Sequence, residues 1–566
     1  MDASSTCAYT HDTTSLAFGD KPRDVWNCPH PTHGDTNRCI FHQPETAWDD
    51  QSITPEAIGE SLLSAINHDD PKRNRIIGCK GPGINLRYST LNGPSNHTID
   101  LRASRIEGPL DVSHSDIVNG MTLRGSTIGG DALFRDTTFR SETSFDECVF
   151  GGAADFHIAT FHSWIRFEGT TFHDQALFRT ARFDRGLYGV HAMFEDAADF
   201  MSADFVQVAN FFEATFHQGA IFSSARFRGN ANFEGCTFLG PTAVGTNLVE
   251  DPSLVATNLP YQEGSIPTYA LVLSAMQCAG NLTLDEATLG ANVDLSGGHL
   301  KGDLRIADVD IPPDDSVRIV AADTGPLSGT VEVHPRITYD FTSSILGALD
   351  LKGLNAHRNA FDQIVLENTT FDGFDFGDYK AHFRRNNWRL HQSPSPRASV
   401  RENTYMRAKN GALDIGEKYA AREFHFREMR NRGRAFLQHI GDMTIVSTFR
   451  STLWNLYLAL KLLTNWISNQ IFRFTCGYGE RPGRVVLCSL TIIFSYAVVY
   501  QSLNVPLNYE GPGSALAFSF QSFNAVILGI PSVDSATIGV LVSTEAFLGP
   551  FFIALFVFTI TQSLSR

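Results

Sequence analysis

The chain has 566 residues, with 45 Lys+Arg against 61 Asp+Glu and nine Cys, and a chain this long divides into two or more domains rather than filling one core. Its net charge of −16 argues against nucleic acid as a direct partner, since phosphate binding needs a basic footprint, and leaves only an acidic surface that imitates DNA as a minor alternative. There are 43 Phe against 14 Tyr and 6 Trp, and such an excess of one ring type calls for a repeated structural slot.

Met1 to Asp20 holds no apolar stretch behind a basic start, so no signal peptide is expected at this end and it should stay in the cytoplasm. Cysteines placed there stay reduced. The segment 1–50 contains Cys7, His11, Cys28, His30, His33, Cys39 and His42. Tetrahedral zinc accepts three thiolates and one imidazole, and the Cys39-x2-His42 spacing lets one turn offer two ligands, which makes Cys7, Cys28, Cys39 and His42 the candidate Zn2+ ligands. So short a segment has little core, and a metal would supply its folding energy. The alternative is a loosely packed cap with scattered cysteines. A catalytic Cys-His pair is the other functional reading, but no nucleophile elbow, Gly-rich phosphate loop or paired-carboxylate motif accompanies it, and the chain is not expected to be an enzyme.

From Phe134 to Phe238, Phe recurs in alternating steps of five and six, broken only at Gly189, and Ala stands two positions earlier in 13 of the 20 slots. Neither a helical nor a strand period generates that spacing. Each step instead fits one short extended side of a coil that turns a corner, the ring filling the axis. The frame extends upstream through Leu101, Val112 and Leu123, placing the start near residue 84. It resumes downstream as Gly280-Asn-Leu-Thr-Leu, Ala291-Asn-Val-Asp-Leu and Gly302-Asp-Leu-Arg-Ile, with a loop at 240–265 between. A last set, Phe361, Leu366, Phe371 and Phe376, steps by five, which carries the solenoid to 380.

The units Ala154-Asp-Phe, Ala198-Asp-Phe, Ala203-Asp-Phe, Ala209-Asn-Phe and Ala231-Asn-Phe resemble those of the pentapeptide-repeat proteins. The resemblance implies a right-handed, four-sided β-helix over 84–380. Whether two eleven-residue units make one coil is left open by the spacing. An inward ring that recurs in register is a core position rather than a ligand platform. The polar positions between suit a docking protein. Acidic and basic residues alternate there, as in Arg166, Glu168, Arg182 and Asp184, whereas a DNA mimic needs a continuous anionic stripe.

Residues 398–440 leave the repeat and predict two helices joined near Gly411 to Gly416, forming a basic neck through Arg422, Arg427, Arg430, Arg432 and Arg434. Beside a membrane such a belt suits anionic headgroups. Alternatively it is a solvated helix face. Residues 445–472 are apolar but carry Arg450 and Lys461, which favours an amphipathic helix lying in the interface.

The tail 485–566 reads as membrane. Val485 to Leu503 and Ile538 to Ile560 are long enough to cross the hydrocarbon layer. Arg473, Arg481 and Arg484 precede the first and Arg566 follows the second, while the connector carries Glu510 and Asp534. The positive-inside rule then puts both termini in the cytoplasm of a multi-pass cell-membrane protein. Between the spans, Ser514 to Pro531 is too apolar for an external loop and too broken for a third span, as in a pore domain with a re-entrant loop.

Tyr478-Gly-Glu-Arg-Pro, Phe518-Ser-Phe-Gln-Ser-Phe and Glu545-Ala-Phe-Leu-Gly stand in the order found in the two-helix ion channels of the potassium-channel superfamily, and the segment resembles the branch of these fused to pentapeptide repeats. The resemblance aligns Ala525, Val526, Ile527, Leu528, Gly529 and Ile530, with Ser522 and Asn524 leading in, to a selectivity filter that reads Thr-Val/Leu-Gly-Tyr/Phe-Gly-Asp in the family. Ile527 occupies the first position that needs Gly, so the filter is degenerate and potassium selectivity does not follow. Glu545 inside a span is a candidate gating or pore-support residue, or a carboxyl bonded to the pore loop. Gly549-Pro550 is a candidate hinge or a static kink.

The expected fold is thus a β-solenoid, an α-helical neck and a two-span transmembrane module. Two helices have too few faces to surround a pore, so a homotetramer in membrane lipid is expected, passing inorganic ions, with the solenoid as a sensing or docking arm. The rival reading is a non-conducting membrane-anchored scaffold.

Overall fold

The computed structural model describes residues 6–13, 25–93, 97–240, 269–313, 315–354, 360–391, 396–445, 452–503, 505, 511, 513–533 and 535–565. They fall into two compact units, Met1–Phe374 and Asp375–Arg566.

The first unit is a β-solenoid. Among the described residues its strands form parallel sheets of twelve, nine, twelve and nine strands, about twelve turns in all. Ala132 pairs with Ala154, Ala154 with Ala176 and Ala176 with Ala198. Partners are therefore 22 residues apart, and two eleven-residue units make one four-sided coil. Inside, rings stack coil upon coil: Phe134 on Phe156 at 4.7 Å, Phe156 on Phe178 at 4.7 Å and Phe178 on Phe200 at 4.6 Å between centroids. That spacing is the separation of neighbouring strands, so the backbone ladder itself sets the rings in contact.

The eleven-residue period has a backbone cause. Asp136, Glu147, Ile158, Thr180, His191, Ser202, Glu213 and Ser224 all have positive φ, and Gly125, Gly169 and Gly235 occupy the same slot. Each sits third in a four-residue turn, closed for instance by the Thr137 N–H donating to the Phe134 carbonyl at 3.2 Å. A left-handed residue turns the corner in each five-residue step, whereas the six-residue steps from Phe134 to Phe238 turn without one except at Gly186 and Gly219. Gly189, where the Phe series breaks, is filled from the next coil: a Cβ there would lie 3.0 Å from the Phe211 ring.

The helix α1 (Pro55–Ile66), started by the Thr54 side chain accepting from the Ala57 N–H, buries Ile58, Leu62 and Ile66 against the first coil. A Cβ on Gly59 would meet the Asn85 carbonyl at 1.8 Å, so the cap sits on the backbone itself. Pairing begins with the Arg75–Asp100 bridge and Lys80–Gly81, ahead of the expected residue 84. The predicted loop at 240–265 lies outside the described residues except for Gly240, but register survives across it, with Ala220 on Leu271 and Thr237 on Thr288. Beyond Leu300 the two longer sheets continue through strands such as Pro326–Glu332 and Ile345–Lys352, while among the described residues the shorter ones gain a single bridge, Thr288 to Asp310. The unit ends at Phe374, and the buried Phe376 ring packs on Phe383 and Phe424 of the second unit.

The second unit is helical. α2 (Lys380–Arg385) precedes a hairpin of α3 (Ala398–Asp414) and α4 (Lys418–Ile445). The hairpin closes over Ala408, Ala412 and Ala420 and turns at Gly416, whose φ is +81°. Buried Glu428 anchors Lys409 at 2.9 Å and Arg432 at 3.1 Å. Then come α5 (Thr452–Thr475), α6 (Pro482–Ser502), α7 (Ser514–Phe523), the single turn α8 (Ala525–Leu528) and α9 (Ala536–Ser565). α6 and α9 are long and apolar enough to cross a membrane. α5, covering most of the predicted interfacial helix, does not meet that measure and leaves Leu456, Leu460, Leu463 and Ile467 exposed.

Candidate functional site

The N-terminal ligands converge. A two-stranded antiparallel pairing of Thr10–Asp12 with Val25–Asn27 brings Cys7 beside Cys28, with the Cys7 N–H donating to His30 and the Cys28 N–H to Tyr9. The 3-10 turn Ile40–His42, closed by the His42 N–H on the Cys39 carbonyl at 3.0 Å, presents Cys39 and His42 together. His42 Nδ1 lies 3.0 Å from Cys39 Sγ and 3.6 Å from Cys7 Sγ, and Cys28 Sγ lies 3.6 Å from Cys39 Sγ.

All four ligand atoms fall within 4.8 Å of one another, and all four residues are buried. The group is close enough to bind a metal ion. A tetrahedron with ~2.3 Å metal–sulfur bonds has edges of about 3.7 Å, close to the sulfur spacing seen.

The surroundings fix His42 in the form a metal needs. Its Nε2 lies 3.0 Å from the Ile77 carbonyl, an arrangement in which Nε2 donates and Nδ1 is left to ligate. Tyr9 stacks on the ring at 3.9 Å, and Trp26 meets it edge-on. The three thiols share charge: hydrogen bonds from Cys28 and Cys39 drive the Cys7 thiol far down, and bonds to Cys28 and Cys7 drive Cys39 up. His30, also buried, bonds instead to the Arg75 carbonyl at 3.4 Å, and burial pushes its imidazole down to about 4. His33 turns to Gln51 and His11 to Tyr9, so neither joins the group.

In the second unit, Glu545 of α9 is fully buried. It accepts the Tyr500 hydroxyl of α6 at 2.8 Å and meets the Ser519 hydroxyl of α7, which also lies 2.8 Å from the Ile493 carbonyl. One carboxyl thus joins the two membrane-length helices and the short helix between them. Gly549 is a contact point: a Cβ there would stand 1.6 Å from the Phe523 carbonyl, so the C-terminus of α7 rests on the α9 backbone. Pro550 follows inside α9. Ser522 is buried and donates to the Phe518 carbonyl, and Asn524 caps α7 through the Phe520 carbonyl at 3.0 Å.

The segment aligned with a filter takes another form. Ala525 to Leu528 make a helical turn, with the Ile527 and Leu528 N–H groups on the Asn524 carbonyl and the Gly529 N–H on that of Ala525. No Gly stands before 529, and Val526-Ile527-Leu528 simply continue the helix that Asn524 interrupts. Only Gly529 has positive φ, at +82°. Val526, Ile527 and Ile530 are exposed.

The family model "Pentapeptide repeats (9 copies)" matches residues 134–182 and 190–237. The matched stretches of the solenoid are pentapeptide repeats. The gap between the two matched stretches contains Gly189, the slot that lacks its Phe. No curated protein matches the chain.

Sequence reasoning brought Cys7, Cys28, Cys39 and His42 together, and the coordinates do the same. It missed Tyr500 and Ser519, although a hydroxyl within an apolar span and another in the short helix were available signals for a carboxyl that needs donors.

Proposed function

We propose that the chain is a membrane-embedded, ion-channel-like protein whose pentapeptide-repeat solenoid serves as a cytoplasmic sensing or docking arm. The observation that carries this reading is Glu545, which holds a short intervening helix between two membrane-length helices through Ser519 and Tyr500. Leu487, Leu490, Phe494 and Val498 of α6 point outward and are exposed, as are Val540 and Phe547 of α9. A core helix of a soluble protein would bury such residues; lipid covers them here. Val526, Ile527 and Ile530 form an apolar tip that three further copies would cover in a homotetramer around a pore for inorganic ions. Both termini then lie in the cytoplasm.

The Cys7, Cys28, Cys39 and His42 group holds Zn2+ in this reading, in a closed four-ligand site with no position for substrate. Its role is to staple the N-terminal segment to the solenoid cap. No enzyme activity is proposed. Acidic residues on the solenoid are engaged by arginine, as Asp204 is by Arg182 and Arg228 and Asp199 by Arg179, which speaks against a DNA mimic.

The helical turn at Ala525–Leu528 favours a second reading, a non-conducting membrane-anchored scaffold, because a turn spends its N–H and carbonyl groups on itself. Single-channel recording from the purified oligomer in a planar bilayer separates the two. Unitary currents altered by Ile527→Gly support the channel. Silence of an assembled oligomer at all voltages supports the scaffold.

A further inference from the structure

Arginines from three helices of the second unit converge on one cleft. The face of α4 brings Arg427, Arg430 and Arg434, the end of α5 brings Arg473, and the start of α6 brings Arg481 and Arg484. The cleft has two lobes, of 370 and 480 Å³, which share Asn387, Arg427 and Arg430, and among the described residues Glu423 is the single carboxylate in their lining. Glu423 reaches Arg481 at 3.4 Å.

The other arginines meet neutral acceptors rather than carboxylates: Arg484 donates to the Arg473 carbonyl at 3.0 Å and Arg473 to Gln470 at 3.3 Å. The Nε atoms of Arg427 and Arg430 are buried with no acceptor among the described residues. Arg481 and Arg484 both lean on the ring of Phe426, at 4.5 and 5.5 Å, so two like charges share one ring. Burial, then Arg434, Arg473 and Arg427, push the Arg430 guanidinium below its ordinary value. A fold does not gather this many cations without counter-charge for stability's sake, since each repels the others and loses water.

The second lobe changes character toward α6. Beside the guanidiniums stand Phe474, Leu487 and Cys488, and Phe474 and Leu487 are largely exposed. The site is therefore cationic at one end and apolar at the other, at the foot of a helix long enough to span a membrane. Guanidinium forks match phosphoryl oxygens two by two.

We propose that this cleft binds a phosphoryl anion, with Arg427, Arg430, Arg473 and Arg484 as its donors, and that the anion is the headgroup of a membrane lipid whose chain runs along Phe474 and Leu487. The lipid source rests on the reading of α6 as a span; the phosphoryl site itself does not. Occupation would lock α4, α5 and α6 together, which couples the neck to the membrane module.

The test is a titration of the full detergent-purified chain with fluorescent short-chain phosphatidic acid, phosphatidylcholine and inorganic pyrophosphate. Phosphatidic acid is expected to bind about tenfold or more tightly than phosphatidylcholine, and the double variant Arg430→Gln/Arg484→Gln to lose about tenfold. Lys461→Gln, an exposed site on α5 outside the cleft, is expected to bind like the wild type. Pyrophosphate that competes only weakly supports the lipid, and pyrophosphate that binds as tightly supports a soluble phosphoryl ligand in the same site. Equal affinity for the two lipids with no pyrophosphate binding, or a folded double variant that binds phosphatidic acid as well as the wild type, overturns the proposal. The wild-type comparison holds even where the variant fails to fold. Recovery of the chain without detergent in a high-speed supernatant would remove the membrane reading while leaving pyrophosphate binding measurable.

Discussion

The hydroxyl of Tyr500 donates to the carboxylate of Glu545 at 2.8 Å, and the two residues lie on different membrane-length helices. Glu545 is fully buried, so removing it leaves Tyr500 and Ser519 as buried donors with one partner fewer. Glu545→Ala is expected to destabilise the helical unit by ~2–4 kcal/mol, and Tyr500→Phe by ~1–3 kcal/mol, the range for leaving a buried hydrogen-bonding partner unsatisfied. The two losses should be strongly non-additive, because both variants delete one bond. Thermal unfolding of single and double variants in detergent measures this; additive losses would show that the carboxyl does not tie α6 to α9.

The solenoid makes a contrasting prediction, because its energy is local and repeated. The Phe178 ring lies between those of Phe156 and Phe200 at 4.7 and 4.6 Å, so Phe178→Ala should cost ~3–5 kcal/mol. Each repeat touches chiefly its neighbours, and hydrogen exchange should rise in the adjoining coils before it rises elsewhere. One coil earlier, at the corner equivalent to Thr180, Ile158 holds a φ of +61° with an exposed β-branched side chain. Ile158→Asn should raise stability by ~0.5–1 kcal/mol, since Asn enters the left-handed region more readily. A denaturation midpoint lower than that of the wild type would refute the corner argument.

The legibility of these features in the sequence follows from their range. The Phe series declared the solenoid because every coil repeats the same local demand. An eleven-residue period is compatible with one or two units per coil, however, and only the pairing of Ala132 with Ala154 decides it. Cys39 and His42 were legible because three residues of one turn join them, but His30 and His42 could be separated only by their contacts with Arg75 and Ile77. The filter alignment rested on resemblance, and Ala525 to Leu528 form a helical turn instead, against the low helix propensity of β-branched Val526 and Ile527. The neck was basic by inspection. That Arg473 and Arg484 would meet Arg427 and Arg430 depends on how α5 and α6 fold back, which composition does not encode.

The metal reading predicts about one zinc per chain by elemental analysis, falling to none in the Cys28→Ser/Cys39→Ser double variant. Three thiolates and an imidazole lose their common partner when the ion is stripped, and among the described residues the segment they hold has a small apolar set around Trp26 and Phe41 to keep it closed. Chelation should therefore expose amides of residues 25–45 to hydrogen exchange while the coils from Phe134 to Phe238 keep their protection. Equal exchange with and without chelator would remove the staple role.

Protonation of His391 gives the last prediction. Burial first, then Arg401, Arg389, Arg427 and Arg434, hold its imidazole down at about 4, and its Nδ1 lies 3.0 Å from the Tyr405 hydroxyl. The ordinary value is about 6.5, so between these limits the unfolded chain binds a proton that the folded chain refuses. Stability contributed by the neutral ring is complete above about pH 6.5 and falls as the pH drops toward 4, by about 2–3 kcal/mol for this residue. His391→Gln should flatten that part of the pH–stability curve of the helical unit. A phosphoryl anion in the arginine cleft cancels part of the field that suppresses the imidazolium, so phosphatidic acid should move the His391 titration upward. Side-chain NMR of the ring with and without the lipid measures the shift, and an unmoved titration would place the anion away from Arg427 and Arg434.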